Sequence, residues 1–374
     1  MKICSVGDLS FEGEFADRIP EDFFAGAARS LSGFDLAIGN LECVLSTSTE
    51  GAFGKCTLRG HPAWAQSLRK AGIQLVTLAN NHAMDFDTPG LLDTIRALDE
   101  AGIRYVGAGR NLDEARAPVI MELRGRRIGF LGRTGVHVGA RTKASTTAAG
   151  VAFLEEEELL EDVRRLAKQV DDVFVLLHWG VEEYLMPAPS QRRFARQLAA
   201  AGCSVLFGHH PHVLQGVETF GRCLVFYSLG NFAFNEFDWT YVDDAGAKFP
   251  QHSPLTDENR LSVIACATRV GDAYQQGEHV FTKIGARGEP LADSDATRAR
   301  HWAALRRRVN PYTYGAGWLL HGLEREWTLR FAKTVSPDRL RRIWKLRPKH
   351  VLELIRTLRT SSRMISEKTK NPYE

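Results

Sequence analysis

Three histidines fall within four positions of the stretch LFGHHPHVLQG: His209, His210 and His212, with Pro211 stiffening the loop between the last two. Other side chains able to bind metal follow short apolar runs. Asp8 comes after KICSV, Asn40 and Glu42 after DLAI, Asn81 and His82 after QLVTLA, and His178 after DVFVLL. Burying a carboxylate or imidazole costs free energy unless it is paired or coordinated, so this recurrence is hard to assign to packing. Asp, Glu, Asn and His together make a mixed oxygen and nitrogen set suited to one or two divalent ions such as Mn, Zn or Fe. Two ions sharing a water would lower its pKa and clamp the oxygens of a phosphoryl or acyl group, which is hydrolase chemistry without a protein nucleophile. None of these candidate positions is a cysteine, and the chain has no GxSxG elbow, Walker A loop or GxGxxG after a strand. A Cys-rich zinc site, a serine hydrolase and the common nucleotide-binding folds therefore lack support.

The elements that must position these residues repeat one rhythm through the first 230 positions. A short apolar run leads into a polar loop, and then a helical pattern such as PAWAQSLRKAG, TPGLLDTIRALDEAG, LLEDVRRLAKQV or SQRRFARQLAAAG follows, several of them ending on Gly. This predicts an α/β layered fold in which ligands gather beyond the carboxyl ends of the strands. APVIMELRGRRIGFLGRT reads as a hairpin turning at Arg124 to Arg126. The polar stretch from Thr240 to Asn259 reads as a loop or flap near the site, and LSVIACATRV and EHVFTKIG as strands completing a second sheet. The acidic run Glu155 to Glu158 suits the first turn of a helix.

The chain has 374 residues, 44% of them hydrophobic, enough for one large domain and an appendage. Six cysteines without CxxC spacing read as buried thiols of a reducing compartment. The lack of a spanning apolar run or secretory leader points to a cytoplasmic protein, with a place peripheral to a membrane as the alternative. The net charge of +3 is unevenly spread, because residues 292–374 carry nineteen Lys and Arg against eight Asp and Glu. The expected division is therefore an α/β domain over 1–291 and a basic helical region over 292–374. That region either packs as a small helical unit or lies on a membrane or polymer-assembly partner. His301, His321 and His350 are dispersed within it, so it is expected to supply no catalytic group.

GDLSFEG, GNLE, LANNHAMDFDTPGL, LLHWGVEEY, FGHHPHVLQGVE and VFYSLGNFAF occur in that order. Together they resemble the bacterial capsule-synthesis family called CapA, the poly-γ-glutamate capsule proteins, which is similar to the calcineurin-like metallophosphoesterases. The resemblance spans roughly Met1 to Ala233. It implies a four-layer αββα sandwich of the metallophosphoesterase type, here with a C-terminal helical extension. It also implies Asp8, Glu42, Asn81, His178, His210 and His212 as metal ligands, with His209 outside the set. His82 would protonate the leaving group or steady the transition state, with Asp85 as its partner. The activity implied is metal-dependent hydrolysis in capsule or polymer synthesis, on a phosphoester or a γ-glutamyl or acyl bond of an anionic small-molecule or polymer substrate, nucleic acid being disfavoured. The alternative is a non-catalytic metal-binding scaffold. Ser10 stands where the phosphoesterase motif has a ligand histidine, leaving one metal site a ligand short.

Four further residues are candidates for substrate contact. Arg59 and Arg133 offer guanidinium groups that either bind an anion or form salt bridges. Glu182 follows His178 in the HWGVE motif and is placed near the site, and Asn231 of YSLGNF either lines the pocket or forms a turn.

Overall fold

Strands that alternate in facing, with amphipathic helices between them, bury both sides of each sheet, and two such sheets stack here. The computed structural model describes residues 1–295, 302 and 314–326, apart from 14, 15, 50, 53, 54, 137–141 and 243–246. The first sheet orders its strands Pro290–Ala292, Val280–Ile284, Leu261–Val270, Lys2–Leu9, Leu36–Leu41, Ile73–Thr77 and Arg104–Val106. Asn231–Ala233 joins it beside the end of Lys2–Leu9. The second sheet runs Val217–Phe220, Cys223–Phe226, Val205–His209, Asp172–His178, Arg126–Thr134 and Val119–Leu123.

Three apolar layers hold this arrangement. Ile3, Leu36, Ile38 and Leu75 of the first sheet meet Phe130, Phe174, Leu176 and Phe207 of the second. The side chains one position on, such as Cys4, Ala37 and Val76, face the opposite way. They pack on the helices α1 (Ala25–Leu31), α2 (Trp64–Ala71) and α3 (Asp87–Ala101). The short α4 (Leu112–Arg116) is capped by Asn111, which accepts from the Glu114 amide. On the far side, α5 (Glu156–Leu166) and α6 (Pro189–Ala201) cover Leu131, Val175, Leu177 and Leu206. Helix, sheet, sheet, helix is the αββα sandwich expected. The acids Glu156 to Glu158 open α5 and Arg164 and Arg165 close it, as the helix dipole favours.

The hairpin of Val119–Leu123 and Arg126–Thr134 forms as read, through a two-residue turn with positive φ at Arg124 and Gly125. One expectation is corrected. LSVIACATRV and the strand within EHVFTKIG complete the first sheet, because Leu261–Val270 pairs antiparallel with Lys2–Leu9. The stretch read as a loop or flap near the site takes part in a β-hairpin, Phe237–Val242 with Lys248–Ser253, in which the alternating Trp239 and Tyr241 share a face.

The strand Pro290–Ala292 runs across the expected boundary at 291. Beyond it, Trp302 packs on Phe226 and Phe281 and donates to the Gln215 carbonyl at 2.8 Å. Helix α7 (Tyr314–Glu326) seats Trp318 and Tyr314 on Tyr184, Met186 and Ala188. His301, His350 and the helix start read at Ser336-Pro337-Asp338 lie outside the described residues. No helix among the described residues is long and apolar enough to cross a membrane.

Candidate metal centre

Strand register brings the site together. Asp8 lies opposite Asn40 on one neighbouring strand and opposite Asn231 on the other, so three polar side chains share one level of the first sheet. In the second sheet His178 lies opposite His209. These levels are the carboxyl ends of the central strands, where apolar side chains give way to polar ones. Glu42 follows two residues after Asn40, and the Asn80–Asn81–His82 turn follows Ile73–Thr77.

Close backbone approach requires glycine at two points. A methyl group on Gly7 would stand 2.0 Å from the Gly230 carbonyl oxygen, and one on Gly208 would stand 2.1 Å from that of Tyr227. The chain then leaves the second sheet through His210-Pro211-His212, and both histidines adopt positive φ, 95° and 57°. Such backbone is rare outside glycine and costs on the order of 1–3 kcal/mol per residue, which the surrounding fold must sustain.

Two overlapping groups result. Asp8, Glu42 and His178 place one ligand atom each within 4.8 Å of one another, and so do Glu42, His210 and His212. Glu42 belongs to both. Its carboxyl is fully buried, 3.4 Å from His178 Nε2 and 3.6 Å from His212 Nε2. His178 Nε2 also meets Asn81 Oδ1 at 2.7 Å. All six residues expected as ligands therefore converge.

The electrostatics of this cluster conflict in a way that a cation resolves. Burial pushes the Glu42 carboxyl well above its ordinary range, with Asp8 and Glu182 adding to it and His212 opposing. Burial also works to raise Asp8, but the imidazoles of His209 and His212 outweigh it and hold that carboxyl well below the usual range. Burial lowers His178 well below a normal imidazole and His210 to about 4. Burial would lower His212 too, yet Glu42 and Asp8 hold it well above. Asp8 Oδ2, Glu42 Oε1 and His210 Nδ1 are buried with no hydrogen-bond partner. Neutral imidazoles and an unshared carboxylate oxygen around one point fit a divalent cation.

The surrounding shell is built as ligands need. Asn40 donates to Asp8 Oδ1 at 2.8 Å and faces His178 Nδ1 at 3.2 Å. Asn80 holds the turn by donating to the Leu41 carbonyl at 2.7 Å and accepting from the His82 amide. Asn231 accepts from His212 Nδ1 at 2.8 Å, which leaves Nε2 facing Glu42. His82 Nδ1 meets Asp85 at 2.7 Å, and Asp85 also accepts from the Leu58 amide at 2.6 Å.

One feature escaped the sequence reading. Lys55 pairs with Asp85 and donates to the Asn81 carbonyl at 2.7 Å, and a lone lysine in a polar loop gives no signal of that. His209, expected outside the ligand set, is fully buried with Nδ1 3.3 Å from Asp8, where it surrounds the candidate ligands. Asn40, whose type and place suit a turn as well as a site, donates to Asp8 and so lies among them.

A cavity of about 330 Å³ opens over the centre, lined by His82, Glu182, Glu183, His212 and Asn231, with Phe237 and His252 from the hairpin. Neither arginine lines it. Arg59 is committed to Asp17 at 2.9 and 3.1 Å and to the Ser46 carbonyl. Arg133 points to the helical side of the second sheet, where it is buried against Asp162 at 2.6 Å. Side-chain alternation explains this, since Arg133 is one residue short of Thr134, the neighbour of His178 in the register.

Two stacked sheets, helices outside and a carboxylate–histidine cluster at the strand ends define a sandwich protein with a candidate metal centre. The family described as bacterial capsule synthesis protein PGA_cap matches residues 2–236, and the chain belongs to it. It is 32% identical over 257 residues to the capsule biosynthesis protein CapA of Bacillus anthracis, covering 66% of this chain and 62% of that protein. To the PGA biosynthesis protein CapA of Bacillus subtilis it is 30% identical, covering 64% of each. The chain thus spans a little under two thirds of these relatives' length. Among solved structures, a putative 5'-nucleotidase from Staphylococcus aureus aligns over 82% of this chain and 58% of its own, at 14% identity and a TM-score of 0.45.

Proposed function

We propose that the chain is a metal-dependent hydrolase in the synthesis of a capsule or related polymer. It would act on a phosphoester or on a γ-glutamyl or other acyl bond of an anionic substrate. The observation that carries this reading is Glu42, shared by both ligand groups, as an acid between two ions would be. Asp8, Asn81, His178, His210 and His212 complete the ligand set for Mn, Zn or Fe. The ions, when bound, supply a water of lowered pKa and a positive field for developing oxyanion charge. His82, held at Nδ1 by Asp85, keeps Nε2 free to give a proton to the leaving atom. Asn40 and Asn231 fix the orientations of Asp8 and His212. The names of the Bacillus relatives support poly-γ-glutamate or a capsule polymer as the setting.

A second reading, a scaffold that binds metal without turnover, draws on Ser10. Its side chain is buried with no partner at the position expected to carry a ligand histidine. Metal analysis joined to a screen of phosphomonoesters, phosphodiesters and γ-glutamyl peptides separates the two. The hydrolase reading expects turnover that falls roughly 100- to 10,000-fold in His82→Ala with metal content retained. Full metal loading with no turnover on any of these classes would establish the scaffold. A protein that binds no divalent ion would overturn both.

A further inference from the structure

Large apolar side chains on the described surface are few and unevenly placed. Tyr241, Phe249, Leu319, Leu320 and Leu323 are each between 40% and 68% exposed, and all sit on the Phe237–Ser253 hairpin or on α7, with Val270 the sixth and elsewhere. The hairpin borders the mouth of the cavity through Phe237, His252 and Ser253. Helix α7 contributes no lining residue but touches the lining through Arg325, which lies 3.7 Å from Glu183, and it also nears Glu258 at 3.8 Å.

We propose that these two elements form a lipid-docking surface that seats the mouth of the cavity against an anionic membrane. Leu319, Leu320 and Leu323 lie on one face of α7, while Trp318 and His321 on the other face are buried against Tyr184. Tyr241 and Phe249 are cross-strand partners with ring centroids 6.3 Å apart, and the exposed Lys248 precedes Phe249. Aromatic rings and leucines flanked by cations are the composition that partitions into the headgroup region. The charge of the chain selects the partner. From residue 327, directly after α7, the sequence carries thirteen Lys and Arg against four Asp and Glu. A second copy would bring a like-charged stretch of its own, whereas an anionic lipid surface complements that charge.

The test uses the full-length protein and sedimentation with vesicles of phosphatidylcholine alone or with about one quarter phosphatidylglycerol. Binding is expected to the anionic vesicles, to weaken as salt is raised from about 0.1 to about 0.5 M, and to fall about tenfold or more in Leu320→Glu/Leu323→Glu. Tyr241→Ser/Phe249→Ser, on the other element, should weaken it independently, with metal content and circular dichroism unchanged in both variants. Equal affinity for the two vesicle types, or unaltered affinity in both variants, would overturn the proposal. So would a dimer in light scattering that the leucine variant dissolves, because the surface would then belong to a second copy. If removing residues 327–374 raised vesicle binding, those residues would be the occupant of the leucine face and the proposal would also fall.

Discussion

The two sides of the candidate metal centre are held by different means. On the first sheet, Asp8, Asn40 and Asn231 are placed by ladder register, which shifts on either side of Asp8, and none of the three has positive φ. On the second, His210 and His212 stand on positive-φ backbone just past a strand end. Register orients a side chain at little cost, because pairing that exists for the core already determines where it points. The histidine turn is held against its own preference, so its geometry depends on the packing beneath it. The acid side should therefore respond to substitution through chemistry, and the histidine side through chemistry and stability together.

The largest effect is expected at the residue common to both groups. Glu42→Gln should empty both positions, lowering metal content toward zero and any turnover at least about a hundredfold, since even partners of ligands cost 10- to 100-fold. Retention of one ion per chain by elemental analysis would show that the two groups are separable. Next comes Gly208→Ala, whose methyl group would collide with the Tyr227 carbonyl beneath the histidine turn. Overpacking of this kind costs about 1–3 kcal/mol in denaturant unfolding, and metal affinity should fall with it.

The comparison is sharpened by replacing His210 with both glycine and alanine. Metal is lost in either case, but the glycine variant should unfold about 1 kcal/mol harder than the alanine one, the reverse of the usual order. Equal stabilities would mean that the turn is not strained. On the register side, Asn231→Ala should lower metal affinity about tenfold by freeing the His212 ring, with a melting temperature close to that of the parent. The smallest effect belongs at the far end of the first sheet. Burial works to raise the Asp35 carboxyl, but the Lys2 amide and Arg124 hold it below its ordinary value. Its contribution is full above the unfolded carboxylate pKa and is lost as pH falls through the folded one. Asp35→Asn should remove about 1 kcal/mol or less near neutrality, flatten the acid limb slightly and leave metal binding untouched.

What was legible in the sequence follows from the same contrast. Residues at strand ends could be read because a polar residue that breaks an apolar run marks the edge of a sheet, and Asp8, Glu42, Asn81 and His178 all do so. His210 and His212 could be read from the motif, although nothing in the residues announces their backbone. Arg133 misled because its place one residue before the edge puts it on the opposite face, a difference that spacing shows only once the register is known. Arg59 and Lys55 were indistinguishable as lone cations in polar loops, yet one pairs with Asp17 and the other braces Asp85. The sheet to which Leu261–Val270 belongs could not be told, since alternation fixes the faces of a strand and leaves its partner open.

The strand order has a further consequence, for the time course of folding. Lys2–Leu9 ends up between Leu36–Leu41 and Leu261–Val270, and Asp8 also needs Asn231 beside it. During synthesis this strand must wait, one edge open, until the chain has been made through Val270. Closing so long a loop is slow, and an unpaired apolar strand is exposed to wrong partners meanwhile. Chains arrested before residue 261 should be cut by protease within the first sheet, and those arrested well past residue 270 should resist. The candidate metal centre is thus assembled only after its histidine loop and its returning strand are both in place, so a nascent chain arrested earlier should have no hold on an ion.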